Sequence, residues 1–126
     1  MIFVTGGTGL VGAHTLLNLT KKGKPFKALR RNTSSLRICE GVFSHYNELA
    51  SFSQINWVYG DINDISSLEE NIKGCDYIIH CAGFVSFCSS DLELLKKINI
   101  EGTANIMNIA LSSRVKKLAY VSSVAT

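Results

Sequence analysis

Two rhythms of apolar residues take turns along this 126-residue chain. Short apolar runs at residues 1–4, 26–29, 55–59, 77–82 and 117–121 have strand length and are bounded by glycine, aspartate or polar clusters. Between them the spacing becomes helical. Leu10, Ala13, Leu16, Leu17 and Thr20 share one stripe, Leu68 and Ile72 a second, and Leu95, Ile98, Gly102, Ile106 and Ile109 a third. The second helix starts at a cap from Ser66 or Ser67 and ends near Gly74, and the third covers residues 91–113 as one long helix. Gly23 suits the end of the first helix, after which Lys24-Pro25 restarts the chain into a strand. Residues 36–54 carry the weakest pattern; a helix is expected over 46–52.

Five strands alternating with helices predict an α/β fold with right-handed crossovers and a parallel sheet in the order 3-2-1-4-5. The fifth strand is apolar at its centre, so both of its faces are expected to be covered. Ligands of such sheets bind beyond the carboxyl ends of the strands, at the switch between strands one and four.

The segment that follows the first strand carries the clearest chemistry. Thr5-Gly6-Gly7-Thr8-Gly9-Leu10-Val11-Gly12 reads both as G-x-G-x-x-G and as T-G-x-x-G-x-x-G, and it falls where a strand turns into a helix. Glycine there tolerates positive φ, and without a Cβ it lets backbone N–H groups approach a pyrophosphate at the helix N-terminus. A dinucleotide is the predicted ligand. The other strand ends supply Arg30 and Arg31, Asp61 and Ile62, Cys81 to Gly83 by way of Ala82, and Ser122 with Ser123. An NAD-preferring site puts a carboxylate at the end of strand two, and no Asp or Glu occurs between Gly12 and Glu40. Arg30 stands at that position. A guanidinium can grip a 2′-phosphate bidentately, so NADP is favoured over NAD.

Composition narrows the alternatives. Apolar residues make up 46% and charged residues 18%, a balance suited to one globular domain with a real core. The apolar runs fall far short of the roughly 20 residues a membrane span requires, and no signal-peptide pattern precedes the first strand, so a cytoplasmic location is expected. Cys39, Cys75, Cys81 and Cys88 have neither redox-pair nor zinc-ligand spacing and are expected to be free thiols. His14, His45 and His80 are too scattered for a metal site, and His80 reads as a packed strand-end histidine. The basic stretch from Lys21 to Arg31 lacks the aromatic platforms of a nucleic-acid site, and the net charge is only +3.

Taken in order, the strand-end motifs resemble the extended short-chain dehydrogenase/reductase superfamily, the NAD(P)-dependent epimerase/dehydratase group. Gly60-Asp61-Ile62 is similar to the segment that meets the adenine, although Asp61 also suits a turn before Asn63-Asp64. His80-Cys81-Ala82-Gly83 resembles H-x-A-[AG], beside the cofactor ribose. Asn99-Ile100-Glu101-Gly102-Thr103-Ala104-Asn105 matches N-x-x-G-T-x-N, whose first asparagine supports active-site geometry in relatives. Tyr120-Val121-Ser122-Ser123 matches Y-V-S-S; the resemblance makes Ser123 the active-site serine, with Ser122 its rival in alignment and a neighbour of the cofactor. Phe84-Val85-Ser86-Phe87 resembles the branch of dihydroflavonol reductases and 3β-hydroxysteroid dehydrogenases.

The resemblance implies hydride transfer between NADP and a carbonyl or alcohol, with sugar-nucleotide epimerase or dehydratase chemistry and non-catalytic nucleotide binding as alternatives. Its Y-x-x-x-K acid/base motif does not occur here: Tyr46, Tyr59, Tyr77 and Tyr120 are followed four residues later by Ala50, Asn63, Cys81 and Val124. The expectation is a Rossmann-type sheet truncated after its fifth strand, with residues 1–126 as an NAD(P)-binding domain that lacks the later strands and the substrate lobe and is inactive alone. The outer edge of strand five is then expected to drive self-association.

Overall fold

A computed structural model describes residues 1–124. It contains five parallel strands, β1 (Ile2–Thr5), β2 (Phe26–Arg30), β3 (Trp57–Tyr59), β4 (Tyr77–His80) and β5 (Lys117–Tyr120), ordered β3-β2-β1-β4-β5. The central strand aligns Ile2 with Phe26 on one side and Thr5 with His80 on the other.

Period-two alternation explains how one sheet feeds two cores. Phe3, Leu29 and Ile78 face one layer, where they pack with Leu68 and Ile72 of α4 (Ile65–Ile72) and Ile106 and Ile109 of α6 (Thr103–Ser112). Val4 and Ala28 face the other layer, with Ala13, Leu16 and Leu17 of α1 (Leu10–Lys21) and Val42 and Phe43 of α2 (Arg37–His45). These layers brace both faces of the sheet and leave the carboxyl ends of the strands open.

Four sequence expectations need correction. The weak segment holds a helix earlier than expected, α2, followed only by the short α3 (Leu49–Phe52); between them Asn47 takes a left-handed φ of 58° that interrupts any helix over 46–52. The N-cap of α4 is Asp64, whose side chain accepts from Ser67 N–H, so neither Ser66 nor Ser67 caps it. The long helix is preceded by a 3₁₀ turn (Ser89–Asp91) and runs as α5 (Leu92–Leu95), a π-helical segment (Lys96–Gly102) and α6. Lastly, β5 is not covered on both faces: Leu118 is half-buried, while Lys117, Ala119 and Tyr120 are exposed.

Candidate functional site

Loops at the carboxyl ends of β1 to β4 and one turn of helix enclose a cleft of about 360 Å³. It brings together Thr5, Gly6, Thr8 and Gly9 from the first loop, Arg30 and Arg31 from the second, Asp61 and Ile62 from the third, and Cys81, Ala82 and Gly83 from the fourth. Gly7, Leu10, Val11, Gly12, Asn99, Ser122 and Ser123 are not among its described lining residues.

The glycines divide the work. Gly6 has φ 77°, and a Cβ on it would come within 2.5 Å of Ala82 N, so a side chain is excluded by both conformation and the backbone that follows β4. A Cβ on Gly12 would fall on the carbonyl of Gly6. Gly7 instead lies against Leu16, on the core side. Gly9 starts α1 with no side-chain cap and no acidic residue in the first turn. The helix end thus keeps uncapped N–H groups and uncompensated positive dipole where an anion fits. Leu10 and Val11 belong to this turn through their backbone; their side chains are exposed at 62% and 54%.

Thr5 and His80 lock the base of the cleft. His80 is fully buried, with Nδ1 2.6 Å from Thr5 Oγ1 and Nε2 2.9 Å from Thr103 Oγ1. Thr5 Oγ1 also accepts from Ala82 N–H at 3.2 Å, so one hydroxyl ties the segment after β4 to the ring, and His80 bridges two threonine hydroxyls. Burial pushes the His80 pKa down to about 4, and the ring stays neutral near pH 7. A neutral, doubly bonded histidine is a strut here.

Arg30 is held between two uses. Its guanidinium lies 6.0 Å from the Trp57 ring centre and 5.4 Å from that of Tyr59, and Nη2 donates to Ser34 O at 3.0 Å. Nε is buried without a partner among the described residues. Asp61 does have the turn role its sequence suggests: Oδ1 accepts from Asn63 N–H at 2.9 Å. Burial raises the pKa of Cys81, partly offset by contact with the Thr15 hydroxyl, so this thiol is not a ready nucleophile at neutral pH.

Asn99 lies in the π-helical segment and pairs with one backbone unit across the cleft wall. Its Oδ1 accepts from Phe84 N–H at 2.9 Å and its Nδ2 donates to Phe84 O at 2.8 Å. Farther along, a Cβ on Gly102 would press to 2.5 Å from Ile62 Cδ1, and Asn105 donates to Ile62 O at 2.9 Å. The N-x-x-G-T-x-N spacing therefore sutures the helix to two strand-end loops. Ser122 and Ser123 follow β5 on an exposed segment.

Reading strand ends alone misses the helical wall, Leu94, Lys97 and Ile98, and with it Asn63 and Ser34. The i, i+4 pair Leu94 and Ile98 was the available signal, but Ile98 reads as part of the buried stripe and Leu94 falls outside it.

The glycine cradle, the uncapped helix and the buried Arg30 Nε all fit a bound dinucleotide, and with the 3-2-1-4-5 sheet they define a dinucleotide-binding α/β domain of the Rossmann type. The family model of the NAD dependent epimerase/dehydratase family matches residues 2–126, and the chain belongs to that family. It is 32% identical to a sterol-4-alpha-carboxylate 3-dehydrogenase (decarboxylating) of Dictyostelium discoideum over 97% of this chain and 35% of that protein. With anthocyanidin reductase of Arabidopsis thaliana the identity is 30%, over 97% and 35%. The UDP-glucose 4-epimerase of Bifidobacterium longum, solved with NAD+ and UDP, superposes with a TM-score of 0.74 at 25% identity, over 98% of this chain and 37% of that one. The chain thus spans about a third of the length of these relatives. Among the described residues no helix is long and apolar enough to cross a membrane.

Proposed function

We propose that this chain is the cofactor half of an NADP-preferring oxidoreductase that acts, in its complete form, on the carbonyl or alcohol group of a small molecule. The observation that carries the cofactor choice is Arg30, which ends β2 at the cleft with a buried Nε that has no partner among the described residues, and with Arg31 beside it. A 2′-phosphate would complete that arginine, and no carboxylate stands there to repel it. The nicotinamide, when bound, supplies the hydride donor or acceptor. Gly6, Thr8, Gly9 and the start of α1 hold the pyrophosphate, Asp61 and Ile62 the adenine, and Cys81 to Gly83 with Ser122 the ribose side. Asn99 keeps the cleft wall in place, and Ser123 hydrogen-bonds the substrate oxygen.

Titrating NADP and NAD into the chain by calorimetry tests this reading. NADP binding several-fold tighter supports it; NAD binding tenfold tighter overturns it. Reductase chemistry is the first choice because the relatives named above include a dehydrogenase and a reductase; sugar-nucleotide epimerase chemistry is the second, favoured by the likeness to UDP-glucose 4-epimerase. Saturable binding of UDP beside NADP would favour the second.

We also propose a cytoplasmic protein that self-associates through β5. This strand ends the described sheet, and Tyr120, Val121 and Leu111 of the preceding helix are exposed at 46%, 43% and 79%. A strictly monomeric species at high concentration in light scattering would count against association.

A further inference from the structure

We propose that Asn63 is a positioning residue that sets the width of the purine end of the cleft by tying the β3 loop to the helical wall opposite. The inference rests on the dinucleotide reading above. Asn63 Nδ2 donates to Lys97 O at 2.8 Å, across 34 positions of sequence. Both residues line the cleft. The Asn63 backbone is fixed in turn by the bond from its N–H to Asp61 Oδ1, and Asp61 N–H is held by Ser67 Oγ at 3.1 Å. A carbonyl has two lone pairs, so Lys97 O can take the amide while remaining in its helix.

Position gives this bond its leverage. The same helix already grips the loop one residue earlier, through Asn105 on Ile62 O and the close approach of Gly102 to the Ile62 side chain. Those contacts bury Ile62 to 7% exposure and anchor the inner side of the loop. Asn63 is the outer stitch, at the segment where Leu94, Lys97 and Ile98 form the wall. With the inner side fixed by packing, the outer bond decides how far the lip of the slot opens. It holds a gap; it makes no chemical step.

Three variants separate this role from general stability. Asn63→Ala removes the donor. Asn63→Asp replaces it with a carboxylate that faces a carbonyl, and Asn63→Gln keeps an amide able to reach Lys97 O. The measurements are calorimetric Kd values for ADP and NADP, and the melting temperature of the unliganded chain. Loss of one hydrogen bond corresponds to about three- to tenfold in affinity. We expect that weakening for Asn63→Ala, a larger one for Asn63→Asp, substantial recovery in Asn63→Gln, and melting temperatures within a few degrees of the parent. Equal ADP affinity in all four proteins overturns the proposal, as does equal weakening by Gln and Asp or a loss of affinity that only follows a falling melting temperature. If the parent chain itself binds neither ADP nor NADP, the dinucleotide reading fails, an outcome distinct from a parent that binds and variants that match it.

Discussion

The Thr5 hydroxyl meets His80 Nδ1 at 2.6 Å in a site where both residues are fully buried, and the backbone N–H of Ala82 is aimed at that same hydroxyl. A charged His80 carries a hydrogen on both ring nitrogens, so Thr5 Oγ1 and Thr103 Oγ1 would both have to accept from a ring that is fully buried. Since burial lowers the folded pKa to about 4 from an ordinary 6.5, the unfolded chain binds the extra proton first as pH falls. Stability is therefore full above pH 6.5 and declines as pH falls from 6.5 to about 4. The predicted loss is on the order of 3 kcal/mol. Urea melts at a series of pH values check it, and His80→Gln should flatten that part of the profile.

Two glycine-to-alanine changes should have opposite signs. At Gly12 the new methyl falls on the Gly6 carbonyl, a backbone atom that cannot step aside. Gly12→Ala should cost ~3 kcal/mol or more, the upper range of overpacking, and should remove nucleotide binding with it. A Cβ on Gly41, inside α2, meets nothing within 4 Å. There alanine should stabilise the chain by ~0.5–1 kcal/mol, readable as a raised urea midpoint.

Asn99→Asp keeps the acceptor for Phe84 N–H but sets a carboxylate against Phe84 O in place of the amide donor. It should destabilise by ~1–3 kcal/mol at neutral pH. Protonating the new carboxyl restores a donor, so the deficit relative to the parent should shrink as pH drops below the carboxylate range. A deficit independent of pH would argue against the paired bonds.

Arg30→Lys retains a charge but loses the planar group lying over Trp57 and Tyr59 and the fork that suits a phosphate. NADP affinity should fall roughly tenfold, with NAD affinity little changed. A parallel fall for both cofactors, seen by calorimetry, would make Arg30 a packing residue only.

The thiols provide an order of reactivity. Cys88 is exposed, and its pKa is lowered by the Ser90 hydroxyl, whereas burial lifts Cys39 to about 12. Iodoacetamide followed by mass spectrometry should label Cys88 first and Cys39 last. Cys81 should label slowly, and more slowly still with NADP present.

Much of this was legible in the chain because parallel strands buried on both faces announce themselves as short apolar runs, and β1, β2 and β4 are of that kind. The glycine run was legible for the same reason its residues cannot change: Gly6 and Gly12 are excluded from carrying a Cβ by named backbone atoms. What escaped was local or cross-chain. The pattern of α2 is short, with Cys39, Val42 and Phe43 buried but Gly41 in its interior and no side-chain cap at Leu36. Asp64 caps α4 because both serines lie inside its first turn, where Ser67 supplies the N–H that the Asp64 side chain accepts. The π-helical turn has no periodicity of its own that a short window would catch. The Asn63 to Lys97 bond joins positions that no local rhythm relates.

The pairing of Thr5 with His80 across the centre of the sheet also sets a schedule for the chain's birth. At ribosomal rates of about 5–20 residues per second, the first strand emerges roughly 4 to 15 seconds before its β4 neighbour exists. During that interval Phe3 and Val4, which end fully buried, have only early partners such as α1 and β2 to shelter them. Mutations that weaken the α1 and β2 packing should therefore lower the yield of newly made protein more than the equilibrium stability of the finished fold would suggest.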